Sequence, residues 1–234
     1  MTTNTKLNFC EKLVYLQRER IRFDGRPYLP AIYASNARNL VIRASRQVEK
    51  STFLVNTILY EAAMHPGAQI LFVCPRQEQA RVFSNSRLLP SLEQSAIVRR
   101  ALLVNSKRKS QVMNMRFVND SQLYVRAAFR SADASRGISA DLLLVDEFQD
   151  IAAGDLPVLQ ETMSHAQYGR TILTGTPKLV DNHLEAVFSQ STANEWTLLC
   201  SACQRPSILD DRCLGASGIA CPECGGALDP SSGH

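Results

Sequence analysis

The chain has 234 residues, 45% of them hydrophobic and 21% charged, with seven cysteines and a formal net charge of +4. That length and apolar content suit one well-buried α/β core with a small appendage, and the mild charge permits a polyanionic partner without arguing for one. No apolar run is long enough to span a bilayer and Met1-Thr2-Thr3-Asn4-Thr5 is not a secretory leader, so a soluble, intracellular protein with no membrane partner is expected.

Residues 1–38 read as a lead-in, with a helix predicted over Leu7 to Ile21 and a turn at Asp24-Gly25-Arg26-Pro27. Leu40-Val41-Ile42-Arg43 reads as a strand. Ala44-Ser45-Arg46-Gln47-Val48-Glu49-Lys50-Ser51 follows it with the spacing of a phosphate-binding loop. Phe53, Leu54, Ile58, Leu59, Ala62 and Ala63 then recur at helical spacing, so a helix should begin where the loop ends. Backbone N–H groups at that start would face phosphates, Lys50 would reach the β and γ oxygens, and the Ser51 hydroxyl would sit on Mg²⁺. The predicted nucleotide-binding stretch is therefore Ser45, Arg46, Gln47, Val48, Glu49, Lys50, Ser51 and Thr52. Both glycines of the general motif are replaced, by Ala44 and Glu49, and Glu49 brings a carboxylate near the anion.

Ile70-Leu71-Phe72-Val73-Cys74-Pro75 reads as a second strand, followed by a Gln- and Arg-rich helix. Arg99, Arg100, Lys107, Arg108, Lys109 and Arg116 fall within eighteen residues, which describes either a solvated face or a surface that tracks DNA or touches another subunit. A hairpin is predicted over Arg116 to Arg126, turned by Asn119-Asp120-Ser121. Leu142-Leu143-Leu144-Val145 is a buried strand that delivers Asp146 and Glu147 to its carboxyl end, where open α/β sheets place their ligands. Asp146 is suited to hold Mg²⁺, directly or through water, and Glu147 to polarise a water against a γ-phosphate. Many strands end in surface acids, so the weight lies in the combination with the upstream loop. Thr171-Ile172-Leu173 is a further short strand, ending in Thr174-Gly175-Thr176-Pro177. Strands alternating with helices predict a P-loop NTPase-like α/β fold, a mostly parallel sheet with helices on both faces.

Cys200-x-x-Cys203 and Cys221-x-x-Cys224 stand seventeen residues apart, a spacing suited to a four-thiolate Zn²⁺ site in a small zinc ribbon. Disulfides are disfavoured in a chain without a secretory leader. Cys213 lies between the pairs as a spare ligand, and Cys10 and Cys74 read as core or surface thiols. The expected boundaries are a lead-in over 1–38, an ATPase core over 39–195, a ribbon over 196–228 and a tail over 229–234.

Ser45-Arg46-Gln47-Val48-Glu49-Lys50-Ser51 resembles the deviant Walker A of the large terminase subunits of tailed phages, motors that drive DNA into capsids. In that family an arginine lies early in the loop, and the match falls on Arg46; glycine more often stands where this chain has Glu49. Ser135-Arg136-Gly137-Ile138-Ser139-Ala140-Asp141, Asp146-Glu147-Phe148-Gln149-Asp150 and Thr174-Gly175-Thr176-Pro177 are similar to the family's remaining segments, so that the resemblance covers roughly residues 20 to 228. It implies an ATPase with ATP and Mg²⁺ as ligands, Glu147 and Arg46 as catalytic groups, and Thr174, Gly175 and Thr176 as the coupling motif. Arg130 and Arg136 are rival arginines, acting in cis or across a ring. It further implies that the lead-in covers the adenine through Arg26, Tyr28 or Gln17.

The partners implied are double-stranded DNA, a small terminase subunit, the capsid portal and further copies in a ring, in the host cell cytoplasm. Large terminases usually continue into a ribonuclease-H-like nuclease, whereas this sequence stops at His234. Nuclease activity is therefore not expected from it, and a separate nuclease chain is a further implied partner. Two other readings remain: a helicase-like or remodelling ATPase on nucleic acid, and a non-catalytic zinc-ribbon DNA-binding or assembly module in which Glu49 disables the loop.

Overall fold

The computed structural model describes residues 5–103, 112–128, 132–167, 169–179, 181–216 and 218–233. Helix α1 (Lys6–Leu13) is capped by the Thr5 hydroxyl, and a hairpin of β1 (Tyr15–Leu16) and β2 (Glu19–Arg20) follows it. The helix expected over Leu7 to Ile21 thus stops halfway. Gln17 and Arg18 turn the chain with φ of 53° and 69°, and backbone groups around the turn find distant partners. Tyr15 N–H donates to Ser95 Oγ at 2.9 Å, and Arg18 N–H to Gln94 Oε1 at 2.8 Å. Tertiary hydrogen bonds override an apolar spacing compatible with a helix.

The predicted turn leads into α2 (Leu29–Ala34), then β3 (Asn39–Arg43), α3 (Lys50–Met64), β4 (Gln69–Cys74) and α4 (Gln77–Val82). A π-helical stretch, Phe83–Leu88, joins α4 to α5 (Leu89–Gln94), and α6 (Ala96–Leu102) follows. The predicted hairpin is β5 (Asn114–Arg116) and β6 (Gln122–Ala127), its turn held by Asn119 Nδ2 donating to Ala62 O at 2.7 Å. Next come β7 (Leu142–Val145), α7 (Asp155–Glu161), β8 (Arg170–Gly175) and α8 (His183–Ser189). Four short strands finish the chain: β9 (Thr197–Leu199), β10 (Pro206–Ile208), β11 (Leu214–Gly215) and β12 (Gly218–Ile219).

Six strands form one sheet in the order β3-β8-β7-β4-β6-β5, parallel throughout except for the β5–β6 pair. The register sets Ile42 opposite Thr174, Arg43 opposite Gly175 and Val145 opposite Leu173. Strand β8 therefore separates the loop strand from the acidic strand, and its last residues reach both.

Apolar runs β4 and β7 are unbroken because both faces of the sheet are covered. Leu71, Val73, Leu143, Val145 and Leu173 share one buried cluster with Phe148, Ile151, Leu159 and Leu184. Neighbouring residues point to the opposite face, where Phe72 stacks on Phe83 with centroids 3.7 Å apart. Helix α3 is buried at every position from Phe53 to Leu59, with α1 and α6 packed on it. Among the described residues, no helix is long and apolar enough to cross a membrane.

Two compact units make up the chain, one of residues 1–21 and 36–191, the other of 22–35 and 192–234. The first contains the six-stranded sheet. In the second, α2 and β9 to β12 come together, so the segment 22–35, read from the sequence as lead-in, belongs with the cysteine-bearing residues. Within that unit Phe23 meets Tyr33 edge-on at 4.7 Å, and Trp196 Nε1 donates to Pro230 O at 3.0 Å. Residues 229–233, read as a tail, form a turn against Trp196: a Cβ on Gly233 would fall 2.4 Å from the indole.

Leu143, fully buried at the centre of the sheet, gives a direct check on this core. Leu143→Ala is expected to cost about 2–5 kcal/mol, seen as a lower urea midpoint with an unchanged m-value; a loss of less than about 1 kcal/mol would contradict close packing there.

Candidate functional site

Residues 44–49 carry the chain from β3 to α3 across the carboxyl edge of the sheet, pinned where Ala44 N–H donates to Gly175 O at 3.1 Å. Gln47 and Glu49 are both left-handed, with φ of 62° and 63°. Glu49 thus adopts the conformation that glycine supplies in the general loop, at a cost of roughly 1–2 kcal/mol for an L-residue. Helix α3 starts immediately afterwards with no side-chain N-cap, which leaves its first-turn N–H groups directed out of the helix end.

Lys50, the first residue of α3, is buried and folds back into the loop. Its ammonium donates to Ala44 O at 2.9 Å, Ser45 O at 2.6 Å and Thr176 Oγ1 at 3.0 Å. Burial pulls its pKa below the ordinary lysine value, opposed by the charges of Glu147 and Asp146 and reinforced by Arg46.

Asp146, also buried, accepts at both oxygens. Oδ1 receives the Thr174 hydroxyl at 2.8 Å and Glu147 N–H at 3.0 Å, while Oδ2 receives the Ser51 hydroxyl at 3.1 Å. Burial pushes its carboxyl above the usual carboxylate range and Glu147's charge adds to the push, while these three hydrogen bonds oppose it. A hydroxyl and a carboxylate oxygen meeting at the loop's end make a hard-oxygen pair that fits Mg²⁺.

Glu147 is left-handed too, with φ 52° and ψ 45°, and half-buried. Its Oε2 accepts from Gln149 Nε2 at 2.5 Å, and Gln149 Oε1 in turn accepts Thr176 N–H at 3.0 Å. Arg46, Gln47, Glu49, Lys50, Ser51, Glu147 and Thr176 line one cavity of about 440 Å³, a volume suited to a drug-sized ligand.

Of the other predicted nucleotide contacts, Ser45, Val48, Thr52 and the buried Asp146 do not line that cavity, and of the predicted coupling motif Thr174 and Gly175 lie buried at the end of β8. Arg136 is exposed, and Arg130 lies outside the described residues. Gln17 sits at the β1–β2 turn. Arg26 and Tyr28 belong to the second unit, where the Tyr28 ring meets Trp196 edge-on at 6.1 Å. Of the basic cluster, Arg99 and Arg100 are exposed on α6 and Arg116 pairs with Asp120 at 2.8 Å; Lys107, Arg108 and Lys109 lie outside the described residues. Sequence reasoning missed Gln79 and Arg87, which reach the cavity from α4 and the π-helical stretch, and Gln149, Asp150 and Lys178 on its acidic side. Only Gln149 and Asp150 stood inside a recognised motif.

In the second unit the sulfurs of Cys200, Cys203, Cys221 and Cys224 all lie within 4.8 Å of one another. Cys200 to Cys224 and Cys203 to Cys221 are each 3.7 Å apart, too long for disulfides at about 2.05 Å. A tetrahedral ion with Zn–S bonds of about 2.3 Å sets its sulfurs about 3.8 Å apart, so the thiols fit zinc. The N–H of Glu223 draws Cys221 down to about 6, and that of Cys203 draws Cys200 down. Arg205 N–H likewise favours the Cys203 thiolate, yet desolvation and the neighbouring sulfurs hold that thiol up at about 12. A divalent ion held among the four sulfurs would favour their thiolate forms. A Cβ on Gly226 would come within 3.4 Å of Cys224 Sγ and 3.5 Å of Cys200 Sγ. Cys213 is buried outside the four, its thiol donating to Ile208 O at 3.4 Å. Cys10 and Cys74 are core thiols, each pushed up to about 12 by burial.

Residues 20–232 match the family described as phage terminase large subunit gpA, ATPase domain. No curated protein matches the chain. Among solved structures, the large terminase ATPase domain of Thermus phage P74-26 is similar with a TM-score of 0.60 at 23% identity, over 71% of this chain and 70% of that one. The large terminase of bacteriophage HK97 is similar with a TM-score of 0.64 at 11% identity, over 81% of this chain and 41% of that one. At these identities the structural likeness shows a shared fold, and this chain spans about two-fifths of the HK97 protein's length.

Two outcomes follow from the geometry. Elemental analysis of the purified protein should return one zinc per chain, lost in Cys203→Ser/Cys221→Ser; undiminished zinc in that variant would contradict the four-sulfur site. Glu49→Gly relieves the left-handed strain and removes a negative charge from the loop, a repulsion of about 1 kcal/mol at contact distances in water. Its affinity for Mg²⁺-ATP, titrated calorimetrically, should be about fivefold higher, and weaker binding would show that Glu49 contributes to the site.

Proposed function

The chain belongs to the family of phage terminase large subunit gpA ATPase domains, and from that membership and the cavity's geometry we propose that it is the ATP-hydrolysing motor that moves viral double-stranded DNA into a capsid. What supports this most is the meeting of Ser51, Asp146 and Thr174 from three separate elements at one carboxylate, beside a cavity that also holds Lys50 and Glu147.

ATP lies with its triphosphate along residues 44–51, where the first-turn N–H groups of α3 and the Lys50 ammonium meet the phosphate oxygens. Lys50 exchanges one of its present partners for a phosphate oxygen, since all three of its donors are engaged. Ser51 Oγ and Asp146 Oδ2 would hold Mg²⁺, which when bound neutralises charge on the β and γ oxygens. The Glu147 carboxylate orients the attacking water and accepts its proton; the water oxygen bonds to the γ-phosphorus as the bond to the β–γ bridging oxygen breaks, giving ADP and phosphate. Arg46, exposed at the cavity mouth, stabilises charge on the γ-phosphoryl group. Arg136, which is exposed, and Arg130 are rival arginines for this role, acting in cis or across a ring.

Coupling runs through β8. Thr176 Oγ1 takes up Lys50 when the γ-phosphate leaves, and Thr174 holds the Asp146 carboxylate. The DNA-gripping surface, the small terminase subunit and the portal act through movements at this strand end, in the infected host cytoplasm. Zinc at the four cysteines is structural, because four protein ligands leave no open position. ATP hydrolysis and translocation, not DNA cleavage, are the activities proposed.

ATPase assays on the parent, Lys50→Ala and Glu147→Gln, with and without DNA, test this. Glu147→Gln should keep nucleotide affinity and lose about 10²–10⁴ in kcat, while Lys50→Ala should weaken binding as well. Equal rates for all three proteins would remove these residues from the reaction.

A further inference from the structure

Glu147 and the segment 174–176 share one side chain, that of Gln149, which stands in the acidic motif without a role assigned to it. Gln149 is buried to 5% exposure two residues beyond Glu147. Its carboxamide is used at both ends: Nε2 donates to Glu147 Oε2 at 2.5 Å and, more weakly, to Asp150 Oδ2 at 3.4 Å, and Oε1 accepts Thr176 N–H at 3.0 Å. The network fixes the amide's orientation. A flipped carboxamide would set oxygen against a carboxylate and NH₂ against a backbone N–H, so both contacts would become repulsive.

Three further observations show that the arrangement is built in. Glu147 holds a left-handed backbone that L-residues avoid, which needs surrounding contacts to persist. Gly175 leaves the space through which Gln149 reaches the end of β8, because a Cβ there would fall 2.6 Å from Gln149 Oε1 and 2.7 Å from Leu184 Cδ2. The Gln149 backbone is itself held, its carbonyl accepting from Asn182 Nδ2 at 3.2 Å. Since Thr176 Oγ1 accepts from Lys50 while Thr176 N–H donates to Gln149, a continuous path runs Lys50, Thr176, Gln149, Glu147.

We propose that Gln149 is a positioning residue for ATP hydrolysis: it aims the Glu147 carboxylate and ties that aim to the backbone at Thr176. When Lys50 exchanges Thr176 for a phosphate oxygen, the change reaches Glu147 through one amide, so the water-activating group is set according to what the loop holds. This role rests on the ATPase reading above and extends it to a residue outside the recognised functions.

Gln149→Glu is the informative variant. It keeps the shape and the acceptor for Thr176 N–H, and replaces the donor facing Glu147 with a repelling carboxylate. Steady-state kinetics should show kcat down about 10–100-fold, the scale expected of misplacing a reacting group, with KM for ATP within about threefold of the parent and the thermal midpoint little changed. Gln149→Met, which fills similar space and removes both contacts, should lose at least as much kcat. A kcat within about twofold of the parent in both variants would overturn the positioning role, as would a loss carried entirely by KM. The parent and Glu147→Gln run alongside separate the two readings. An active parent with indifferent Gln149 variants contradicts positioning alone, whereas a parent that hydrolyses no ATP contradicts the ATPase reading and the positioning role with it.

Discussion

One buried carboxylate organises the candidate site. Ionised Asp146 is costly to remove from water unless each oxygen is hydrogen-bonded, and its donors come from the start of α3, the end of β8 and the residue that follows it in the chain. Those donors can converge only if β3, β8 and β7 lie side by side in that order with their carboxyl ends level, which is the observed sheet. The strand order and the site are thus one constraint seen at two scales. Burial pushes the Asp146 carboxyl upward against its three donors, and a divalent cation beside it would favour the ionised form.

The same edge concentrates backbone strain. Gln47, Glu49 and Glu147 are left-handed without being glycine, and all three line the cavity. Such conformations persist where surrounding contacts over-determine them. Around Glu147 those contacts are the buried Phe148 and the Gln149 carboxamide; on the loop side Lys50 gathers two carbonyls and Thr176. Strand β8 touches both groups. Thr176, directly after that strand, contacts Lys50 through its hydroxyl and Gln149 through its N–H, which is why the proposed coupling is placed there.

Much of this was legible in the sequence, for reasons that differ from residue to residue. Lys50, Ser51, Asp146 and Glu147 stood out because phosphate and metal chemistry demands particular residue types at strand and helix ends, and local spacing records that demand. The four cysteines were legible because two Cys-x-x-Cys turns are the local pattern that brings four sulfurs together. The helix expected through Ile21 failed because backbone groups at Tyr15 and Arg18 are satisfied by Ser95 and Gln94, partners that no local window contains. Arg87 reaches the cavity from a π-helical stretch, whose altered period shifts side chains off the α-helical face. Gln149 was visible as a letter but not as a contact, since its partner at Thr176 lies 27 residues away across a strand pairing. The grouping of residues 22–35 with the cysteine-bearing unit is likewise a matter of long-range packing.

The central claim, that Ser51 and Asp146 together hold the metal of a nucleotide complex, is tested most directly by electron paramagnetic resonance titration of Mn²⁺ in place of Mg²⁺ with a non-hydrolysable ATP analogue. The parent should bind one nucleotide-dependent Mn²⁺ outside the cysteine cluster, and Asp146→Asn should weaken it by at least about tenfold, the equivalent of 1.4 kcal/mol. Equal Mn²⁺ affinity in parent and variant would show that this carboxylate is not part of the metal site.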